Sequence, residues 1–586
     1  MLNQKPAGPD TKNLILAMVL SMAILFAWQM FFQPAPKKVD PATQQQQTTQ
    51  PVDAAASQVL PRDQIIASTP RVAIDTPNLV GSINLTGALL DDLKLKNYHE
   101  TVDPKSPIIT LLTPSGAADA YFAQQGFENA PGQNAALPDS KSLWTAPAGA
   151  KLTETTPVDL TFDNGQGLIF HRTISIDHDF LFTIKQTVEN KTANPVTLLA
   201  YSGLQRQDTP HVQGYSTFFE GFLGVINGKL NEQYYSAIAK ENGNISQTSV
   251  GGWMGFTDKY WGTAIIPEQS VNLTAAYEHF KIGARDAYQA GYKSADPITI
   301  APGSTGVVQD RLFAGAKIVD TINKIGGDLK IDKFNLMIDW GWFAFLTQPM
   351  FKLLEFAKGI MGNFALAILL VTVIVKAVLF PLANRSYASM SRMKKLQPKM
   401  EEIKKNFPDD KMKQQQEIMA MYKAEKVSPL SGCLPMFIQI PIFFSLYKVI
   451  LTTIDLRHAP FYGWIHDLSV PDPTSIFNLF GLLPFTPPHV LMIGVWPILM
   501  GITMWVQMRL NPAPADPVQA SMFNWMPVMF TYMLSSMPAG LVIYWTWSNL
   551  LSILQQSYIM KKNGTEVNIL GNIRDSIPFL KKKAAT

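Results

Sequence analysis

The sequence predicts an α-helical membrane protein with six transmembrane helices, a large β-sandwich domain on one side of the bilayer and a helical hairpin on the other. Three observations carry that expectation. The 586 residues are 47% hydrophobic and only 16% charged, more apolar than a soluble enzyme of this length. Apolar segments of spanning length recur, one near the N-terminus and five beyond residue 360. Between them, residues 67–320 alternate apolar and polar side chains with period two, the pattern of half-buried strands.

The elements follow in order. Residues 1–13 carry Lys5 and Lys12 ahead of an uncharged apolar run at 14–32, and Gln33-Pro34-Ala35-Pro36 offers no small-x-small cleavage site, so the run reads as a permanent anchor. Residues 33–66 are rich in Pro, Gln and Thr, with Gln44 to Gln47 in a row, and form a tether with too few apolar residues to pack. In the strand-rich stretch Leu168, Phe170, Ile174 and Ile176 mark one face, and Phe180, Phe182, Ile184 and Val188 another. Asp163-Asn164-Gly165 precedes the first of these runs and supplies residues that tolerate positive φ, which predicts a hairpin. Residues 335–358 mix aromatics with Asp339, Lys352 and Glu355, as in a helix lying in a membrane interface. Five spans follow at 362–383, 430–452, 490–508, 522–536 and 541–560.

Charge distribution orients these spans. Residues 384–427 hold eleven Lys and Arg side chains and the tail 561–586 is also basic, whereas 453–489 contains only Arg457. The excess marks 384–427, 509–521 and both termini as cytoplasmic and turns the β domain outward. Within 384–427, Met393, Leu396, Met400, Ile403 and Phe407 form a helical stripe. Phe407-Pro408-Asp409-Asp410 breaks the chain, and a second helix with Met412, Met419 and Tyr422 predicts an antiparallel hairpin; Pro398 should bend its first arm.

Few residues suggest chemistry. The net charge of +4 is too small to mark a nucleic-acid binder, and the one cysteine, Cys433, cannot form an internal disulfide. His99, His171, His178 and His211 lack ligand spacing, residues 224–230 lack the spacing of a phosphate loop, and Trp253, Tyr260 and Trp261 fit a β core. No catalytic residue, metal site or cofactor is expected. The spans, in contrast, carry a patterned set of polar residues. Lys376 interrupts the apolar run from Ala365 to Leu382, and an ammonium in hydrocarbon costs about 2.5–3.5 kcal/mol on insertion scales. It lies about 9 Å from Leu382 at 1.5 Å per residue, so it either snorkels or faces a hydrated cavity. Thr372 shares its face, and Gln439, Thr503, Gln507, Thr531, Ser535, Ser548, Asn549, Ser552, Gln555 and Gln556 recur in the other spans. One such residue per helix is ordinary interhelical glue; several helices contributing together predict a polar groove with Lys376 as its charge. The spans hold no Asp or Glu, which argues against an ion-coupled transporter. A transporter or channel with an outer carbohydrate-binding domain is the alternative.

Five motifs carry a resemblance over nearly the whole chain: Leu396-Gln397-Pro398-Lys399, Met421 to Val427 (MYKAEKV), Pro429 to Pro441 (PLSGCLPMFIQIP), Trp464 to Leu468 (WIHDL) and Pro538 to Tyr544 (PAGLVIY). Together they resemble the YidC/Oxa family of membrane protein insertases. The resemblance implies a periplasmic β-supersandwich like that of sugar mutarotases without their catalysis, and a core groove open to cytoplasm and lipid. It also implies nascent inner-membrane proteins as clients and action alone or with the Sec translocon, in contact with membrane lipids. The basic residues of the hairpin and tail read either as solvated helix faces and topology signals or as a docking arm for a nascent chain or its ribosome. Lys376 stands where the family carries a groove arginine, Thr372 at its hydroxyl position and Trp545 at an aromatic position often occupied by tyrosine. The implied groove comprises Lys376, Thr372, Gln439, Gln507, Thr531, Ser535, Trp545, Ser548 and Asn549, with Ile438, Phe443 and Tyr544 along a client's exit. Lysine keeps the charge but lacks the planar fork that grips a carboxylate through two hydrogen bonds.

Overall fold

The structure is a computed structural model that describes residues 59–210, 218–240, 244–408, 410–425, 427, 434–485, 487–488, 491–512 and 517–565. The expected anchor at 14–32, most of the tether, His211, Cys433 and the last part of the tail lie outside these residues. Two sheets build the first half. The larger has eleven strands; Val196–Gln207, Tyr121–Asn129 and Arg285–Ser294 lie near its middle. The smaller has eight and includes Val158–Asp163, Leu168–Ile176, Leu181–Asn190 and Thr305–Ala316. Their inner faces meet through aromatic pairs such as Phe222 with Tyr277 at 5.1 Å and Tyr121 with Phe256 at 5.8 Å.

Local sequence explains the pairing. Leu168–Ile176 alternates buried and half-buried positions along its length, as its apolar spacing requires. It runs antiparallel to Val158–Asp163 across a turn in which Gly165 and Gly167 take φ of 67° and 89°. The Asn164 side chain closes that turn by accepting from the amides of Gln166 (2.8 Å) and Leu168 (3.0 Å). One inward position breaks the apolar rule. Arg172 is buried among Phe170 and Ile174, and its guanidinium donates to the carbonyls of Ala88 (2.8 Å) and Gln125 (2.6 Å) and to Gln186 Oε1 (3.0 Å). Burial holds it down at about 10, so it stays charged at neutral pH. Across the same interior the Tyr292 hydroxyl donates to Asp310, whose carboxyl burial pushes up to about 7.

Three short helices, α1 (Arg62–Ser68), α2 (Tyr235–Lys240) and α3 (Val319–Asp328), accompany the sandwich, and a 3-10 turn at Phe334–Met337 leads out of it. The second half is helical: α4 (Ala344–Met361), α5 (Phe364–Val378), α6 (Phe380–Lys395), α7 (Gln397–Asn406), α8 (Lys411–Ala424), α9 (Leu434–Thr452), α10 (Val495–Leu510), α11 (Pro517–Leu534) and α12 (Ala539–Lys562). Among the described residues no single helix is long and apolar enough to cross a membrane. The pair α4 and α5, bent by 117°, meets the length and composition together.

Particular residues set these boundaries. Gly362 ends α4 at φ 70°, and Asn363 caps α5 by accepting from the amides of Ala365 (2.7 Å) and Leu366 (3.3 Å). The stretch 362–383 is not one run: α5 stops at Val378 and α6 restarts with Pro381 in its first turn. Proline lacks an amide hydrogen and crowds the carbonyl four residues back, which favours a break here, whereas Pro349, Pro441 and Pro527 are accommodated inside α4, α9 and α11. Likewise the stripe from Met393 to Phe407 is divided at Leu396, with Pro398 opening α7. Arms α7 and α8 pack together through Lys399 and Glu425, whose charged groups lie 3.0 Å apart, and the Tyr422 hydroxyl over Met400 Sδ.

Helix bundle and sandwich meet at two charged contacts. Lys448 on α9 pairs with Asp339 at 2.6 Å, and Asp339 also accepts from the Phe219 amide at 2.8 Å. Arg457 donates to the His99 carbonyl at 2.5 Å and lies over the rings of Trp261 (5.2 Å) and Tyr260 (5.8 Å). Trp253 and Tyr260 are core residues and Trp261 packs against that core, and Tyr260 and Trp261 also sit under this contact.

Candidate functional site

The polar residues of the helices separate into a connected cluster and several local pairs. At the centre of the cluster Lys376 Nζ donates to Ser552 Oγ on α12 at 2.8 Å and to Gln439 Oε1 on α9 at 3.4 Å. Gln439 in turn donates from Nε2 to the Tyr544 hydroxyl. The Ser552 hydroxyl donates to the Ser548 carbonyl at 2.8 Å, and Tyr387 on α6 is hydrogen-bonded to Ser552. Both direct partners of the ammonium are neutral, so they hold it in position without cancelling its charge. Three helices distant in sequence thus converge on one cation.

Other expected groove residues do something different. Thr372 is buried and its hydroxyl donates to its own helix at the Ile368 carbonyl, 2.6 Å away. Thr531 likewise donates to the Pro527 carbonyl within α11 at 2.8 Å, and Ser535, just past its end, to the Tyr532 carbonyl at 2.6 Å. Thr531 also marks a close helix crossing, because a Cβ at Gly501 would collide with its hydroxyl. Asn549 donates to Thr503 Oγ1 on α10 at 3.2 Å, a separate bridge, and Ser548 is buried. Gln507 is half-buried on α10. Trp545 is a packing residue, wedged between Phe443 at 4.7 Å and Phe530 at 5.6 Å. Of the exit residues, Ile438 and Phe443 are half-buried and Tyr544 is buried. Among the described residues α9 exposes Phe437, Ile440 and Phe444, at helical spacing. On α12 Leu550, Leu554 and Tyr558 do the same.

Among the described residues the sandwich offers no comparable cluster around its histidines. His99 Nδ1 lies 2.8 Å from the Ser106 carbonyl, and His171, His178 and His279 are each beside one carboxylate at 2.9–3.2 Å. Among the described residues no three His, Cys, Asp or Glu side chains could hold a metal ion.

Two family models match the chain, the YidC periplasmic domain at residues 71–353 and the 60Kd inner membrane protein at residues 356–566. A membrane protein insertase YidC of Nitrobacter hamburgensis is 49% identical over 593 aligned residues, covering 96% of this chain and 97% of that one. That of Sinorhizobium fredii is 50% identical, covering 96% and 98%. The chain belongs to the YidC family. A solved structure described as an active YidC insertase with its first transmembrane domain resolved covers 92% of the chain and 98% of its own, at 16% identity and a TM-score of 0.36. A putative aldose 1-epimerase of Escherichia coli covers 42% of this chain and 99% of its own, at 11% identity and a TM-score of 0.30. In this YidC family member the residues 71–353 matched as periplasmic contain both sheets, and the Lys376 cluster lies within the second match.

Two members of the cluster had a weak sequence signal or none. Ser552 is one of five polar residues on the last apolar segment, and only the packing of α12 against α5 selects it. Tyr387 lies beyond the helix break at Leu379, on a stretch rich in basic residues.

Proposed function

We infer that this chain is a membrane protein insertase and membrane chaperone of the bacterial inner membrane, acting through a positively charged polar groove. The observation that carries the groove reading is the uncompensated ammonium of Lys376, held by neutral side chains from α9 and α12. A cation among apolar helices attracts acidic segments strongly, because the surroundings screen it poorly. A client's short hydrophilic outer segment enters beside Lys376, while its apolar helix leaves sideways along α9 and α12, where Phe437, Ile440, Phe444, Leu554 and Tyr558 are exposed. Burial of the client's apolar surface, about 25 cal/mol per Å², supplies most of the driving force, and the membrane potential adds about 2.3 kcal/mol per charge per 100 mV. No nucleotide or catalytic residue is required.

The wider topology belongs to the same reading. Six spans, with the anchor at 14–32 first, put both termini and the α7–α8 hairpin in the cytoplasm and the sandwich, a mutarotase-like supersandwich, in the periplasm. The basic composition of 384–427 and 561–586 supports this orientation. So do the apolar side chains exposed on α9, α11 and α12, which form stripes too extensive for a water-facing surface. Nascent inner-membrane proteins are the clients, the Sec translocon is a working partner, and the hairpin and tail meet the ribosome.

The test is insertion of a single-span client with an acidic outer tail into proteoliposomes carrying only this protein. Lys376→Arg should insert it as well as the native chain, Lys376→Ala several times more slowly, and Lys376→Glu hardly at all. Native-level insertion by Lys376→Glu would remove the charged-groove reading, and dependence on added Sec components would leave only the chaperone role.

A further inference from the structure

Between Asp472 and Arg509 the chain holds no Lys, Arg, Asp or Glu, and within that stretch residues 476–485 form a loop that turns its apolar side chains outward. Leu482 is 82% exposed, and Phe477, Leu479, Phe480, Leu483 and Phe485 are exposed as well. The loop is nevertheless built. Ser475 accepts from the Phe477 amide at 3.2 Å and donates to the Leu491 carbonyl at 2.9 Å; Phe480 donates to the Ser475 carbonyl at 2.7 Å. The Leu483 amide donates to the Asn478 carbonyl at 3.1 Å, and the Asn478 side chain donates to the Phe485 carbonyl at 3.3 Å. Its base is pinned by Asp472, which accepts from Trp464 Nε1 (3.1 Å), the Thr474 amide (3.0 Å) and the Trp496 amide (2.9 Å).

Leu479 and Phe480 both adopt left-handed backbone, with φ of 49° and 58°. Branched and aromatic residues pay for that conformation, and in water they would pay again for exposure. A polar turn with glycine would satisfy the same connection more easily, so the exposed apolar surface is what the loop maintains. Its recorded hydrogen bonds are made within the loop and to its base while its apolar side chains face out, an arrangement that favours entry into hydrocarbon. A protein-binding patch would carry a polar rim around its apolar centre. Among the described residues the neighbouring polar side chains, Thr474, Ser475 and Asn478, are used to close the loop and its base.

We propose that residues 476–485 are a lipid-inserting wedge, seated in the outer leaflet at the end of α10 and displacing headgroups beside the helix bundle. The proposal rests on the reading of α5, α9 and α10 as spans. Its chemistry is that of an apolar anchor without basic residues, so zwitterionic lipid suffices and anionic headgroups are not required.

The experiment uses the full chain with Cys433→Ser, reconstituted into phosphatidylcholine vesicles, and an environment-sensitive fluorophore on single cysteines at Leu482, at Val250 on the sandwich edge, or at Val373 on α5. Expected at Leu482 are a blue-shifted emission, loss of iodide quenching relative to Val250, and stronger quenching by lipid doxyl-labelled near the headgroup than by lipid labelled deep in the chain. Iodide quenching at Leu482 equal to that at Val250 overturns the wedge. So does shielding from iodide and doxyl lipid alike, which would mean that protein, such as the N-terminal apolar segment, covers the loop. Val373 separates the two readings: deep doxyl quenching there with none at Leu482 removes the wedge alone, and no lipid quenching at either site removes the spans too.

Discussion

Asp310 is a residue whose ionisation is set by the fold. It is buried opposite Tyr292, and although Arg172 and Arg311 pull its carboxyl down, desolvation dominates and raises it to about 7. A folded value above the unfolded one means that the folded chain holds the proton more tightly. Its contribution to stability is therefore complete below about pH 4 and is lost as pH rises through about 7. Thermal unfolding of the chain in detergent should show a midpoint that falls between pH 5 and pH 7.5, and Asp310→Asn should flatten that dependence. An unchanged slope in the variant would mean that other groups govern it. Lys317, buried and lowered to about 8, works with the opposite sign and only above that pH, so it does not mask the effect.

At the scale of elements, the bend between α4 and α5 depends on a few side chains. Asn363 caps α5 with its carbonyl oxygen and donates from Nδ2 to the Pro460 carbonyl at 3.1 Å, tying the loop after α9 to the helix start. Asn363→Ala should cost about 1 kcal/mol through the cap, and Asn363→Asp should retain that part while losing the Pro460 contact. Hydrogen exchange at the amides of Ala365 and Leu366 checks this, since both should exchange faster in the Ala variant and stay protected in the Asp variant. Strand and helix types were legible from period and composition, as Leu168–Ile176 illustrates with its alternating burial. Helix ends were less so. The apolar run through Lys376 reads as one helix because hydrophobicity continues through Pro381, yet the helix ends at Val378 and a new one starts with that proline in its first turn, a position it favours.

Across the whole molecule, sandwich and helix bundle are joined by side chains far apart in sequence. Lys448 and Asp339 are both mostly buried, with 13% and 21% of their side chains exposed. A double-mutant cycle with Lys448→Met and Asp339→Asn, read by thermal unfolding of the full chain, should give a coupling energy of about 0.5–3 kcal/mol. Additive effects would mean that the ion pair does not hold the two parts together. Arg457 reaches the same junction by a different route, through a carbonyl and two aromatic rings, so the joint does not rest on one contact.

Sequence alone determined the class of this protein. Apolar runs, period-two strands and the asymmetry of Lys and Arg are local or additive properties, and the motifs from Leu396 to Tyr544 carry the family. It also singled out Lys376, because one charge in an apolar run is conspicuous whatever surrounds it. Tertiary structure decided the partners. Ser552 lies 176 positions from Lys376 and Gln439 lies 63 positions away, and no spacing rule selects them over Thr372, Thr531 or Asn549, which share the same chemistry. Helical periodicity assigns a residue to a face; which faces meet is settled by how the helices cross. The same reason explains Arg172, where alternation marks an inward position but only the opposing sheet supplies the carbonyls that make a buried guanidinium tolerable.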